Sequence, residues 1–182
     1  MVIRFVNTAD TEALLHIYRP FVVNSAASFE TSAPSVDEFA ARVTAYSQKC
    51  PWIVADAGGI IAGYAYANKH REREAYQWSV ETSVYVHPAF YRQRVATLLY
   101  STLFNLLKEQ GFVNAHAGIV LPNAASINLH ALFGFTEIGV YKNVGFKLGA
   151  WHDVMWMAKP INEITPNPPE PKNIESILHL LP

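Results

Sequence analysis

Three groups of residues in this chain have types and spacings suited to chemistry on a charged substrate. The first is "VHPAFYRQRVATLLY", Val86 to Tyr100, where a strand run passes through a basic loop into a helical stripe. A helix N-terminus presents unpaired backbone N–H groups, which suit a phosphate. Glycine usually lets such a backbone approach the anion, yet none lies between Pro88 and Tyr100, and Arg92 and Arg94 stand beside Gln93 instead. The stretch is either a phosphate cradle with unusual side chains or an ordinary turn with solvated arginines. The second group is Glu81, a carboxylate inside the apolar run "QWSVETSVYV". Burial there would raise its pKa toward the range of a general base. Alternation puts Glu81, Ser83 and Tyr85 on one side and Val80, Thr82, Val84 and Val86 on the other, so pattern alone makes Glu81 part of a polar strand face. The third group, "HREREAYQW", interleaves Arg71 and Arg73 with Glu72 and Glu74. Guanidinium groups clamp carboxylates and phosphinates in a bidentate fashion, but such a mixed run is equally a solvated charged loop.

The elements around these residues alternate between strand and helix. "IRFV" reads as a first strand, followed by a helix capped by Asp10 and kinked or ended by Pro20. Ser35 and Glu38 have capping-box spacing ahead of a second helix. "PWIVADAGGIIAGYAYANKH" reads as a hairpin turning at Ala57-Gly58-Gly59. Val95, Leu98, Leu99, Thr102, Leu103, Leu106 and Leu107 form one helical stripe that stops at Gly111. "NAHAGIV" reads as a buried strand. "PNAASINLHALFGF" reads as a short helix capped by Asn123, and two further strands follow. From Pro160 the chain is proline-rich, with "IESILHLL" as a last helical turn. The expected class is a mixed α/β sandwich, divided into a domain over residues 1–160 and a proline-rich tail over 161–182.

Composition removes several classes of function. A chain of 182 residues with a formal charge of -1 does not have the basic balance of a general nucleic-acid or membrane-surface binder. One cysteine excludes an internal disulfide framework and a cysteine metal cluster. The seven histidines are scattered without a metal-ligand pattern, so no metal is expected. No apolar run approaches the roughly 20 residues that span a bilayer, and the N-terminus carries charge where a signal peptide needs an apolar stretch. A cytoplasmic protein is expected.

Trp78 to Phe135 resembles the GCN5-related N-acetyltransferase (GNAT) superfamily: a strand ending "SVYVHP", a basic loop opening a long helix, then N-x-x-S before H-x-x-x-GF. "CPWIVA", "AYQW", "ETSVYV", "GFVNAHAGIVLPNAAS" and "GAWHDV" extend the similarity to the phosphinothricin and methionine sulfoximine N-acetyltransferase subgroup, over about Ile3 to Lys159. The resemblance implies a central mixed, mostly antiparallel sheet splayed into a V. It also implies acetyl-CoA as co-substrate and direct acetyl transfer to the primary amine of a small amino acid analogue. Residue by residue, it makes Glu81 the base, where pattern alone would leave it on a polar strand face, with a strand bulge upsetting simple parity. Val84, Tyr85 and Val86 would hold the pantetheine arm, and one amide, that of Val86, would stabilise the oxyanion.

The family's phosphate motif, Q/R-x-x-G-x-G/A, falls on Tyr91 to Ala96. Tyr91 and Arg94 depart from it and Ala96 satisfies it. Arg92, Gln93, Arg94, Val95, Ala96 and Thr97 then form the phosphate loop, and Asn123 and Ser126 contact the cofactor. His130 stands where many relatives carry a tyrosine that protonates the thiolate; a histidine packed on the sheet is the competing reading, and Tyr100 is a weaker candidate for the task. Arg71 and Arg73 would hold the substrate carboxylate, with Phe29, Tyr76 and Trp78 as apolar walls. His152 and Asp153 read as structural. The subgroup is typically homodimeric. Two other functions remain open at this point: acetylation of a peptide or protein amine, and non-catalytic acyl-CoA binding.

Overall fold

A computed structural model describes residues 1–182. Seven strands form one sheet in the order β1-β2-β3-β4-β5-β7-β6. They span Val2–Phe5 (β1), Trp52–Asp56 (β2), Ile61–Lys69 (β3), Ser79–Val86 (β4), Asn114–Val120 (β5), Thr136–Lys147 (β6) and Ala150–Pro160 (β7). Every neighbouring pair is antiparallel except β4 and β5, whose parallel pairing covers only Ser79 to Glu81 against Asn114 to His116. The helix α3, Val95–Gln110, makes the crossover between them, as a parallel connection requires.

One face of β2–β4 is covered by α1 (Thr11–Val23) and α2 (Val36–Ser47), with Leu14, Tyr18, Phe39, Trp52 and Tyr64 buried between the layers. The other face packs on α3 through Ala65, Val80, Leu99, Leu103 and Leu107. The short helix α4, Ala124–Leu132, closes the far side of a cleft that opens between β4 and β5. No helix is long and apolar enough to cross a membrane.

Local signals met two different outcomes. Ser35 and Glu38 form the expected capping box, with Ser35 Oγ accepting from Glu38 N and Glu38 accepting from Ser35 N. Gly58 and Gly59 take positive φ at the β2–β3 turn, and Gly111 ends α3 in the left-handed region. Asp10, by contrast, makes no side-chain cap bond: its carboxylate is held by Arg4, at 2.8 Å through both oxygens, and by Asn7 N. A partly buried ion pair outcompetes the cap. Pro20 lies inside α1, which continues to Val23.

The C-terminal segment folds back on the domain. Trp78 Nε1 donates to Pro169 O at 2.7 Å, Gln110 and Lys172 exchange backbone and side-chain bonds, and Ile174 and Ile177 enter the core beside α3. Residues Ile174–Leu180 form a 3₁₀ turn.

Candidate active site

The site follows from where strand pairing stops. His87 N donates to Ala62 O, and with the β3–β4 register this makes the pairs at Tyr85, Ser83 and Glu81 the hydrogen-bonded ones. The amides and carbonyls of Thr82, Val84 and Val86 therefore point the other way, toward β5. Beyond the Glu81–His116 pair β5 no longer meets them, so Val84 and Val86 present free backbone groups to an open wedge. A cleft of about 660 Å³ fills that wedge, within the size range of small-molecule sites. Its walls include Val84, Tyr85, Val86, Ala117, Gly118, Ile119 and Val120.

The β4–α3 loop forms the mouth. The first α-helical bond of α3 runs from Leu98 N to Arg94 O at 3.0 Å, leaving the amides of Val95, Ala96 and Thr97 unpaired, as a helix start must. Arg92 and Arg94 both adopt left-handed backbone, at φ 61° and 62°, a conformation that costs a non-glycine residue roughly 1–2 kcal/mol. The family motif has glycine at the position of Arg94, and the structure supplies the reason: this backbone turns where glycine turns freely. Arg92, Arg94, Val95 and Ala96 line the cleft. Gln93 donates its side-chain amide to Ala89 O at 3.0 Å, and neither it nor Thr97 lines the cavity.

Along the inner wall, Tyr100, Asn123, Ser126 and His130 come together. Asn123 caps α4 by accepting from Ser126 N at 3.1 Å. His130 is buried, with Nδ1 2.8 Å from Ser126 O and Nε2 3.0 Å from Tyr100 Oη. A carbonyl only accepts, so Nδ1 carries the ring proton and Nε2 accepts from the tyrosine hydroxyl. Burial lowers the His130 pKa, and Ser126 O only partly offsets this, while burial raises that of Tyr100. Both groups are thus neutral, and the mobile proton sits on Tyr100 Oη.

Glu81 marks the root of the wedge as the last β4 residue paired with β5, but neither its side chain nor those of Arg71, Arg73, Tyr76 and Phe29 line the cleft. The β3–β4 register is regular, with no bulge, so Glu81 shares its face with Ser83 and Tyr85 as simple alternation requires. Its Oε1 is 3.0 Å from His70 Nδ1 and 3.6 Å from Arg71 Nη1. The side chain is 30% exposed, and burial raises its pKa against the opposing charge of Arg71. Arg71 also lies over the Trp156 ring, and Tyr76 meets the edge of His70. The structure therefore gathers Arg71, Tyr76 and Glu81. Arg73 is exposed and makes no side-chain bond, while Phe29 packs on Gly145 and His152 of the β6–β7 hairpin. Asp153 binds Lys142 Nζ and Asn143 N, and His152 Nε2 bonds Lys147 O, so both serve the hairpin.

Sequence reasoning missed His70, His116 and Trp156 around Glu81, and the whole β5 wall. His70 and His116 lie far apart in the sequence and leave no local spacing signal; the antiparallel β3–β4 and parallel β4–β5 registers together bring them beside Glu81.

Residues 3–156 match the acetyltransferase (GNAT) domain family. The chain belongs to the GNAT acetyltransferase family. It is 34% identical over 169 residues to the phosphinothricin N-acetyltransferase of Streptomyces viridochromogenes, covering 93% of this chain and 91% of that one. It is 34% identical to the L-methionine sulfoximine/L-methionine sulfone acetyltransferase of Salmonella typhimurium, covering 90% and 96%. The crystal structure of a Sinorhizobium meliloti phosphinothricin acetyltransferase in complex with acetyl-CoA superposes with a TM-score of 0.87 at 36% identity, covering 92% and 91%. The splayed sheet of this acetyltransferase is thus the family's sheet, and the expected fold class holds.

Proposed function

We propose that this acetyltransferase moves an acetyl group from acetyl-CoA to the primary amine of a small amino acid analogue, such as phosphinothricin or methionine sulfoximine or sulfone. The observation that carries the reading is one wedge with free strand amides on its wall, a helix N-terminus at its mouth and a partly buried carboxylate at its root. The residues present fit coenzyme A. Val84 and Val86 offer backbone groups to an extended amide chain, as an added strand would use them, and the amides of Val95, Ala96 and Thr97 suit a pyrophosphate. Asn123 and Ser126 lie along the same wall.

Acetyl-CoA supplies the activated thioester; the chain supplies position and proton transfer. An ammonium cannot attack, so Glu81 accepts a proton from the amine, directly or through one water. The Val86 N–H donates where negative charge develops on the carbonyl oxygen. Tyr100 Oη holds the proton for the departing thiolate and turns from His130 Nε2, its acceptor in the resting site, to deliver it. Arg71 stands 3.6 Å from Glu81, placed to pair with a substrate carboxylate. Arg73 and Phe29 lie outside this group.

The finer assembly and location belong to the same reading. Ile138, Tyr141, Val144, Phe146, Leu148 and Trp151 are exposed apolar side chains on the β6–β7 hairpin, the kind of surface that serves protein contacts, and we assign it to a homodimer. Trp151→Asp is expected to halve the mass measured by sedimentation; an unchanged mass rejects that interface. A single buried thiol, Cys50, suits a reducing cytoplasm.

Acetyl-CoA-dependent thiol release is to be measured against phosphinothricin, methionine sulfoximine, methionine sulfone, a polyamine and a short peptide. Turnover on the amino acid analogues is expected, with Glu81→Gln lowering kcat/KM by about 10²-fold or more and Tyr100→Phe lowering kcat by about tenfold. Turnover on the peptide alone makes the chain a peptide acetyltransferase. Coenzyme A binding without turnover on any amine makes it a binding module.

A further inference from the structure

The carboxylate of Glu81 is held by a histidine from the segment that follows the neighbouring strand. His70, just past the end of β3, sets Nδ1 3.0 Å from Glu81 Oε1. An ionised carboxylate only accepts, so the imidazole donates from Nδ1. The ring is fixed from three sides. It stacks on His116 of β5 with centroids 4.2 Å apart and planes 16° from parallel, and it meets Trp156 and Tyr76 edge-on, each at 5.9 Å. His116 is the register partner of Glu81 in the last paired step before the wedge opens. The strand divergence that creates the cleft therefore also sets the histidine pair beside the carboxylate. Oε1 is taken up by His70 and faces Arg71, while Oε2 has no partner within the protein.

We propose that His70 is a positioning residue for Glu81: its Nδ1–H, braced by the stack on His116, pins Oε1 and leaves Oε2 as the oxygen that takes the amine proton. The inference rests on Glu81 acting as the base. In that step the N–H bond of the ammonium breaks, an O–H bond forms at Oε2, and the His70 bond to Oε1 stays in place. The groups facing Glu81 are His70 and Arg71 from the segment after β3 and His116 from β5; Asn68 on β3 and Trp156 on β7 add no charge. Burial, then Arg71, lowers the His70 pKa, and burial and the two neighbours lower that of His116. At neutral pH the donor is accordingly an uncharged imidazole. A hydrogen bond to the ionised carboxylate favours that form, so His70 counters the burial that would otherwise keep Glu81 protonated.

The test is the pH dependence of kcat/KM for the amine in the wild type, His70→Leu and His70→Asn, with Glu81→Gln in the same assay. Asparagine places an N–H donor where Nδ1 stands. His70→Leu is expected to move the acid limb upward by about one pH unit, lower kcat about tenfold and leave the KM for acetyl-CoA unchanged. His70→Asn is expected to restore the limb. A limb that stays put in folded His70→Leu overturns the proposal, as does an asparagine variant no better than leucine. If His70→Leu does not fold, His70→Gln, which carries its amide at the Nε2 position, replaces it in the comparison with asparagine. Loss of activity in Glu81→Gln with an unmoved His70 limb rejects the positioning role alone. Full activity in Glu81→Gln rejects the base, and the positioning role with it.

Discussion

The two ends of the cleft are built from different material. At the mouth, the groups that would meet phosphate are backbone amides of Val95, Ala96 and Thr97, and the neighbouring side chains depart from the family motif at Tyr91 and Arg94. At the root, the geometry is entirely side chain: a carboxylate on β4, an imidazole after β3, a second imidazole on β5 and an indole on β7. A backbone site survives side-chain replacement as long as the chain still turns the same way. A side-chain site does not, because each group is held by a partner from another strand. The motif at the mouth is therefore a weak guide to activity, and the cluster at the root a strong one.

Substitutions sharpen that contrast. The largest effect is expected at the root, where Glu81→Gln should cost about 10²-fold or more in kcat/KM with acetyl-CoA binding intact. At the mouth, truncating side chains should do little, whereas a charge that opposes the anion should act strongly. Ala96→Asp sets a carboxylate in the first turn of α3, where it stabilises the helix by about 0.3–1 kcal/mol but repels a pyrophosphate held by the same amides. The KM for acetyl-CoA is expected to rise about tenfold or more, which corresponds to ~1.4 kcal/mol, with the melting temperature unchanged or slightly raised. An unchanged KM would place the phosphates elsewhere and dissolve the contrast.

The same contrast explains what was legible in the sequence. Local signals carried the elements: the Ser35–Glu38 box, the Gly58-Gly59 turn, the Leu99–Leu103–Leu107 stripe and the Gly111 stop each act within a few residues. The mouth was legible because a strand, a loop and a helix start are contiguous. Strand parity also read correctly for Glu81, and the regular register makes the expected bulge unnecessary. The root was not legible beyond Glu81, because His70, His116 and Trp156 lie 11, 35 and 75 positions from it and meet only through sheet order. The proline-rich end hid its contacts for a related reason: the apolar residues of "IESILHLL" suggest a helical turn, but the burial of Ile174 and Ile177 depends on a groove beside α3.

Arg94 offers the smallest effect and the finest division between backbone and side chain. Its φ of 62° and ψ of 17° are strained for arginine and ordinary for glycine. Arg94→Gly removes both the strain and the guanidinium, whereas Arg94→Ala removes the guanidinium and keeps the strain. Glycine should therefore melt above alanine by about 2–4 °C, the equivalent of ~1 kcal/mol in a chain of this size. The alanine variant compared with wild type then isolates the charge. A KM for acetyl-CoA raised a few-fold, and less so at high salt, puts the guanidinium on the phosphates. An unchanged KM leaves it in solvent and makes the cradle one of backbone alone. Equal melting of the glycine and alanine variants would mean that the left-handed turn costs arginine nothing here, and the family's glycine would then need another explanation.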